Sequence, residues 1–242
     1  MKVVRNAVFG LALGLGLLVS TSVRADVVKG ELDDDNPERV YKVTLKPKTK
    51  YLFYLTSGDF DTYLYLMNAE GEVLSKNDDL AKSSGTKIPT LDSRIITITT
   101  EGGTYQVKAS SLLKKGRGEF QLFAGTPRSG PSNEKGKLTK RSPKFENRLP
   151  YASVNMKLEK GVAYKFTATS SDFDALLGVR MKGAAKMLAT DDNSGGRTNS
   201  LLYYLPTKTG EYEVLIGSLN QAFGEYEFTA QAYKGNGTEL KK

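Results

Sequence analysis

The sequence predicts an all-β protein made of two tandem antiparallel β-sandwich domains. The first observation is a repeat, because residues 57–66 recur as residues 170–179, 113 positions further along the chain. The second is that each copy consists of seven or eight short strand-like segments separated by turn residues. The third is that no stretch after residue 25 shows apolar residues at the spacing typical of a helix. Two copies of about a hundred residues each follow from the repeat.

The individual strands are predicted from alternation, from aromatic and branched residues, and from the turns between them. In residues 39–45, a period of two places Tyr41, Val43 and Leu45 on one face. Strands are predicted in the first copy at residues 39–45, 50–56, 62–67, 73–76, 93–99, 103–110 and 118–124. In the second copy they are predicted at residues 153–158, 163–169, 175–180, 186–189, 200–205, 210–216 and 224–230.

The first 25 residues have the pattern of a secretory signal peptide. Lys2 and Arg5 precede a 13-residue apolar run from Ala7 to Val19, and Ala25 ends a small-residue cleavage site. The run is short for a membrane span, which needs about 20 residues. We therefore expect an exported protein, secreted or held in the periplasm or cell envelope, that does not insert into the membrane after cleavage.

The remaining chain divides into residues 26–125 and 136–234 as domains, 126–135 as a basic linker, and 235–242 as a polar tail. Loss of three basic residues with the signal peptide lowers the formal net charge from +8 to +5. Residues 126–150 alone hold seven basic and two acidic residues. Such a segment could contact an anionic polymer, although a solvated linker is the simpler interpretation. No aromatic residues separate the charges, so we expect no nucleic-acid partner.

The order of motifs, met twice, resembles the bacterial pre-peptidase C-terminal domain family. The shared motifs are a Gly-x-Leu opening, an Asp-Phe-Asp segment, a later Asp-Asp, a Gly-x-Tyr-x-Val strand and a final Gly-x-aromatic strand. They begin at Gly30 and Gly136 and cover nearly the whole mature chain. The resemblance implies jelly-roll-like sandwiches that are non-catalytic, accompany exported enzymes and in some relatives bind calcium. This sequence departs from the usual setting because no peptidase accompanies the pair.

Composition excludes several classes of enzyme. With no His and no Cys, the chain cannot form a Ser-His-Asp triad, a Cys nucleophile or a His-ligated zinc site. Paired carboxylates remain, since Asp59 and Asp61, or either with Asp78, could reach the separation of about 5–9.5 Å that glycosidases use. Because the same pair occurs in both copies, we expect a non-enzymatic protein. A carboxylate enzyme acting on polysaccharide is the alternative.

The repeated aspartates predict a calcium site. In an extended chain, Asp59 and Asp61 would point the same way while Phe60 turns to the core. A neighbouring strand would bring further oxygens to the same rim, and hard oxygen ligands suit Ca²⁺. The candidate ligands are Asp59, Asp61, Asp78, Asp79, Asp172, Asp174, Asp191, Asp192 and Asn193. The alternative is that these side chains form Asx-turns and cap loop amides without an ion.

An acidic segment near the start of the first copy is a possible additional source of ligands. It contains Glu31, Asp33, Asp34, Asp35 and Asn36. Calcium-binding relatives in the family take ligands from such an opening segment. The matching residues 137–144 of the second copy are basic, so a site that needs this segment would be tight only in the first copy. A solvated acidic loop is the competing interpretation.

Tyr63 and Tyr65 form the remaining candidate ligand surface. They alternate with Leu64 and Leu66, which we expect to face the core, so the tyrosines would lie on the outer face of the sheet. There they could stack on sugar or pack on a protein, or simply cover the sheet. Together these patterns predict a secreted, calcium-stabilised binding or accessory protein that engages an extracellular or envelope polymer or a protein partner. A structural envelope spacer without a ligand is the other alternative.

Overall fold

The structure is a computed structural model that describes residues 27–78, 91–145, 148–235 and 240–241. The predicted signal peptide lies outside these residues. A short 3-10 turn lies at Leu112–Lys114, between two of the strands. Among the residues described, no helix is long and apolar enough to cross a membrane. The prediction of an all-β fold is therefore confirmed.

The first half of the chain forms eight described strands, which lie at or close to the predicted positions. They are β1 (Val27–Leu32), β2 (Glu38–Leu45), β3 (Lys50–Thr56), β4 (Thr62–Met67), β5 (Val73–Asn77), β6 (Ser93–Ile98), β7 (Gly103–Ser111) and β8 (Gly118–Pro127). The inward face predicted for β2 is correct, because Tyr41, Val43 and Leu45 are all buried. The Gly-x-Leu opening, which was not predicted as a strand, belongs to β1.

The second half repeats this pattern with nine described strands. They are β9 (Ser132–Leu138), β10 (Lys144–Phe145), β11 (Leu149–Leu158), β12 (Ala163–Thr169), β13 (Ala175–Met181), β14 (Ala189–Asp191), β15 (Ser200–Tyr204), β16 (Gly210–Ser218) and β17 (Gly224–Lys234). The strand predicted at residues 186–189 is wrong in position, because β14 begins only at Ala189. The two-residue strand β10 has no counterpart in the first half among the residues described.

Strand order identifies each half as a jelly roll. In the first half, β1-β8-β3-β6 form one sheet and β2-β7-β4-β5 form the other. In the second half, β9-β17-β12-β15 and β11-β16-β13-β14 repeat these two orders, with β10 added at an edge. All pairs are antiparallel, as a sandwich built from two Greek keys requires. The repeat seen in the sequence is therefore a repeat of topology.

Each sandwich encloses its own cluster of buried side chains. Phe60 and Phe173, the central residues of the two Asp-Phe-Asp segments, are 5% and 3% exposed and belong to the first and second clusters. Leu64 and Leu66 of β4 are buried, and so are Leu177 of β13 and its neighbour two positions on. The predicted core-facing side of these strands is confirmed.

A third buried cluster joins the two halves. Strand β3 is buried on both faces, since Tyr51 and Phe53 point into the first core while Leu52 and Tyr54 belong to this separate cluster. Phe123 of β8 joins them from the first half. The second half contributes Ala163, Tyr203, Leu205 and Tyr233. The two sandwiches therefore share apolar surface that neither could bury alone.

The segment predicted as a basic linker is largely part of the sheets, which corrects that prediction. Thr126 and Pro127 end β8 and pair with Lys234 and Tyr233 at the end of β17, which joins the two four-stranded sheets into one eight-stranded sheet. Residues 132–135 begin β9, which pairs along β17. The positive charges of this region are therefore held on a strand and its flanking turns. The prediction of a separate connecting segment at 126–135 is wrong.

The segment predicted as a polar tail also returns to the fold. Leu240 is 6% exposed and lies in the core cluster of the first half. The Lys241 N–H donates to the carbonyl of Lys42 at 2.9 Å, and the Lys42 N–H donates to the carbonyl of Lys241 at 2.7 Å. Leu240 and Lys241 follow the second half in sequence but contact the first half. The division into two separate domains stays a prediction.

Candidate functional site

The loops that carry the Asp-Phe-Asp motif are closed by the same set of hydrogen bonds in both halves. In the first half, Ser57 Oγ donates to the carbonyl of Glu119 at 2.7 Å and Asp59 Oδ2 accepts the Glu119 N–H at 2.8 Å. In the second half, Ser170 and Asp172 make the equivalent bonds to Glu225, also at 2.7 and 2.8 Å. We call this arrangement the Ser–Asp clamp. It ties the loop after β3 to the start of β8, and the loop after β12 to the start of β17.

A glycine stands opposite the aspartate of each clamp for steric reasons. Gly118 and Gly224 have φ angles of +124° and +155°. A Cβ at Gly118 would lie 2.4 Å from Asp59 Oδ2, and one at Gly224 would lie 2.2 Å from Asp172 Cβ. Real Cβ atoms do not approach other atoms so closely, so only glycine lets these aspartates reach the backbone. This explains the repeated Gly-x-aromatic motif.

The two aspartates of the second motif have different partners. The chain bends at residues 58–60 instead of running extended, so the predicted parallel projection of Asp59 and Asp61 does not apply. In the second half, Asp172 accepts the Glu225 N–H, whereas Asp174 faces the side chain of Asn193. The prediction that the first aspartate of each motif shares a site with the second was based on the wrong backbone geometry.

Strand pairing shifts the second acidic motif by one residue between the halves. Leu64 of β4 pairs with Asn77, and Leu177 of β13 pairs with Asp191. Asn77 Oδ1 accepts the Arg94 N–H at 2.8 Å, and Asp191 Oδ2 accepts the Leu201 N–H at 2.8 Å. Asp191 therefore corresponds to Asn77 and caps a backbone amide. Its neighbour Asp192 corresponds to Asp78, and Asn193 to Asp79, which lies outside the described residues.

Asp192 is the most unusual acidic side chain in the described part of the second half. Asp192 is 0% exposed, and both of its carboxylate oxygens lack a hydrogen-bond partner among the residues described. The hydroxyl of the nearby Ser194 is also buried without a described partner. With its amide oriented to satisfy its neighbours, Asn193 Nδ2 lies 3.2 Å from Asp174 Oδ1 and 2.9 Å from the Asp192 carbonyl oxygen. The Asn193 side chain thus lies beside the Asp174 carboxylate, which also senses the charge of Asp192.

The electrostatics of this region disfavour two carboxylates without a cation. Burial, and then the nearby charge of Asp192, raise the pKa of Asp174 above its ordinary value. Burial also raises the pKa of Asp191, although hydrogen bonds from the backbone N–H groups of Ser194 and Leu201 oppose this effect. A positive ion between Asp174 and Asp192 would relieve both the burial and the repulsion. We call Asp174, Asp192, Asn193 and Ser194 the acidic corner.

The corresponding corner of the first half can be described only in part. Asp61 holds the same place in its loop as Asp174, since their carbonyl oxygens accept the N–H groups of Leu112 and Leu219 at 2.9 and 2.8 Å. Asp78 is half-buried and ends the described segment. Across the described ranges, no group of three or more acidic, His or Cys side chains is placed to hold a metal ion.

The acidic opening segment is held mainly by arginines. Asp33 accepts hydrogen bonds from Asn36 and pairs with Arg39 at 3.2 Å. Asp34 pairs with Arg117 at 2.7 Å. The Asn36 hydrogen bond is the largest cause of the lowered pKa of Asp33. Glu31 precedes Leu32, the last residue of β1, and Asp35 lies in the turn before β2. These contacts are those expected of a capped surface loop.

Tyr63 and Tyr65 lie side by side on the outer face of β4. Their ring centroids are 4.6 Å apart at an interplanar angle of 31°, and both residues are half-buried. The Lys108 ammonium lies 4.2 Å from the Tyr65 ring centroid and also pairs with Glu38 at 2.9 Å. Burial raises the pKa of Tyr65. One face of Tyr65 is therefore covered by a cation, and Tyr63 is the more available ring.

Comparisons with known proteins give no family for this chain. No family model matches it, and no curated protein sequence does. Among solved structures, it is similar to the major capsid protein P2 from bacteriophage PM2, with 10% identity and a TM-score of 0.28 over 88% of this chain and 99% of that one. It is also similar to tripeptidyl peptidase 2, with 10% identity and a TM-score of 0.23 over 86% of this chain but only 23% of the peptidase. The resemblance to the pre-peptidase C-terminal family stays a prediction.

Two features of the described structure were missed by sequence reasoning. The first is the shared cluster between the halves, which the unbroken apolar run Tyr51–Leu55 could have indicated, because a strand buried on both faces loses its alternation. The second is a group of lysines at the β2–β3 turn. The sequence shows them only as Lys-Pro-Lys-Thr-Lys, which is typical of an ordinary turn.

Proposed function

We propose that this protein is an exported, non-catalytic binding protein whose second half is stabilised by a calcium ion. The observation that carries the proposal is Asp192, a fully buried residue whose two carboxylate oxygens lack a partner among the described residues. A buried carboxylate is costly unless it is paired or coordinates a metal. Two such oxygens beside a second carboxylate, an amide and a hydroxyl supply the hard donors that Ca²⁺ prefers.

The acidic corner, but not the Ser–Asp clamp, would hold the ion. Asp172 and Asp191 already accept backbone N–H groups at 2.8 Å, so their main role is to fix the loops. Asp174 and Asp192 supply the charge, and Ser194 supplies a neutral oxygen. Reversal of the Asn193 amide would turn its oxygen toward the ion in place of its nitrogen. Calcium binding and loop capping are therefore assigned to different aspartates of the same motif.

Thermal unfolding of the mature chain in calcium tests this assignment. An ion that binds only the folded state stabilises it by RT ln(1 + [L]/Kd), about 2.7 kcal/mol at a hundred times Kd. We expect Asp192→Asn to abolish this gain. In EDTA the same variant should be more stable than wild type, because it removes a buried charge without a partner. The matched control is Asp172→Asn, which should weaken the clamp but keep the calcium response. An unchanged calcium response in Asp192→Asn would contradict the assignment.

The binding role is supported by the outer face of β4. Tyr63 presents an aromatic ring beside Tyr65, and the neighbouring Lys108 adds a cation. Aromatic rings of this kind stack on sugars and pack on proteins. A glycan and peptide array separates a binder from a spacer, and Tyr63→Ala should reduce any signal that this face produces. Turnover of the same glycans, lost in Asp59→Asn, would instead support the carboxylate enzyme.

A further inference from the structure

An open, basic cavity lies where the first half meets the second. Its volume is about 370 Å³, and its lining includes Lys46, Lys48 and Lys50 from the β2–β3 turn and Thr126 and Pro127 from the end of β8. The last two residues are those that pair with β17 of the other half. The cavity therefore sits at the point where the two sheets join.

A fourth lysine, in the second half, lies within electrostatic reach of Lys50 but does not line the cavity. Lys165 of β12 is half-buried, and its pKa is lowered, mainly by burial and then by the charges of Arg94 and Lys50. Lys50 thus lies within electrostatic reach of Lys165, although the two belong to different halves. We call Lys46, Lys48, Lys50 and Lys165 the junction basic surface.

The lysines of this surface have no acidic partners. Among the described residues, none of the four forms a salt bridge. Lys108, Lys114 and Lys135 form salt bridges, but most described lysines do not, so what distinguishes this group is that three of its members line one cavity. Like charges held together without counter-ions repel one another, so an anion that binds among them gains their combined attraction.

The turn that carries three of these lysines is rigid. The Lys48 N–H donates to the carbonyl of Thr99 at 2.7 Å, and the Lys46 N–H donates to the hydroxyl of Tyr51 at 2.9 Å. Thr49 Oγ1 donates to the carbonyl of Pro47 at 2.9 Å. Because these bonds fix the backbone before any ligand arrives, little backbone order is lost on binding.

The second half shows that the fold does not require these lysines. Its equivalent turn keeps the same bond, since the Glu159 N–H donates to the hydroxyl of Tyr164 at 3.0 Å. With the offset of 113, Lys46, Lys48 and Lys50 correspond to Glu159, Gly161 and Ala163. Lys48 even adopts a φ of +50°, a conformation that favours the glycine found in the other copy. The charge is therefore an addition to the scaffold of the first half.

We propose that the junction basic surface binds an anionic polysaccharide. This inference rests on the proposed binding role and names its ligand class, but it does not depend on the acidic corner. The three lysines that line the cavity supply the positive charge that repeated sulfate or carboxylate groups would pair with. Tyr51, the aromatic residue in the cavity lining, is 2% exposed, so it offers no ring on which a nucleic-acid base could stack.

The test measures binding of the mature chain to dextran sulfate and to unsulfated dextran in EDTA, at about 50 and 200 mM salt. We expect binding to dextran sulfate alone. Replacing Lys46, Lys48 and Lys50 together by Gln should weaken it at least about tenfold and lower the slope of log K against log salt by about 2. The matched control replaces Lys140, Lys182 and Lys186, exposed lysines on turns of the second half, by Gln. It removes the same net charge and should change the affinity less than about threefold.

Three results would overturn the proposal. Equal weakening by both triple variants would show that only net charge matters. Failure of the wild type to bind dextran sulfate would remove the ligand class, while leaving the calcium response and the array results of the proposed function intact. Tighter binding to single-stranded DNA or to anionic phosphatidylserine vesicles, lost in the same Lys46–Lys50 variant, would assign the surface to a different macromolecule. Circular dichroism and thermal melting confirm that each variant is folded.

Discussion

The end of the chain should stabilise the half of the protein that is remote from it in sequence. Leu240 is 6% exposed in the core of the first half. Leu→Ala substitutions in cores cost about 2–5 kcal/mol. Because Leu240 keeps 6% of its surface exposed, we expect the lower part of that range, about 2–3 kcal/mol for Leu240→Ala. At about 2–4 °C per kcal/mol for a chain of this size, Tm should fall by about 4–12 °C.

Hydrogen exchange with mass spectrometry locates the effect. Lys241 is bonded to Lys42 of β2, and β2 pairs with β7, so amides of these two strands should lose protection in Leu240→Ala. The control is Leu240→Met, which keeps most of the side-chain volume and should cost less than about 1.5 kcal/mol. If the Ala and Met variants melt together, or if exchange rises only in the second half, the chain end does not pack into the first core.

The remaining predictions concern the clamp and the junction. Gly224→Ala should destabilise the protein by more than about 2 kcal/mol in denaturant titration, because its Cβ would collide with Asp172, whereas Gly130→Ala, which meets nothing within 4 Å, should be nearly neutral. Equal effects would show that the clamp is not tight. Burial raises the pKa of Asp92 above 3.8, despite hydrogen bonds from Tyr54, Thr56 and Ser57. The folded state then binds this proton more tightly than the unfolded chain, so the contribution of Asp92 to stability should increase as pH falls through the native pKa toward 3.8. Asp92→Asn should remove that gain, and a wild-type pH slope in the variant would contradict it.

The strands and cores could be predicted because they depend on local patterns. Alternation in β2 and the turn residues between strands predicted the right faces, and the repeat correctly predicted that the second half copies the first. The junction could not be predicted in the same way, since it depends on which outer faces meet. Leu52 and Tyr54 pack in one cluster with Tyr203 and Tyr233 of the second half, and nothing local to β3 indicates these partners. Long-range pairing of this kind has no fixed spacing in the sequence.

The candidate site was predicted in composition but not in arrangement. Continuing the offset of 113 aligns Asp78 with Asp191, whereas the strand register aligns Asn77 with Asp191. That one-residue error confused Asp191, which accepts backbone N–H groups, with Asp192, whose carboxylate oxygens have no described partner. Neighbouring residues of a strand face opposite sides, so a shift of one residue exchanges their surroundings. The bend at residues 58–60 likewise separated side chains that an extended chain would have placed together. Both errors concern backbone geometry, which residue identity alone does not determine.

The duplication itself distinguishes structural residues from functional ones. The Ser–Asp clamp occurs in both halves with hydrogen-bond lengths of 2.7 and 2.8 Å, so the sandwich itself accounts for it. The three lysines of the β2–β3 turn occur in one half only, on a turn that forms equally well in the other with Glu159, Gly161 and Ala163. Residues that one copy of a fold does without are not needed to build it. The three lysines around the cavity are therefore better explained by the anionic ligand proposed above than by the needs of the fold.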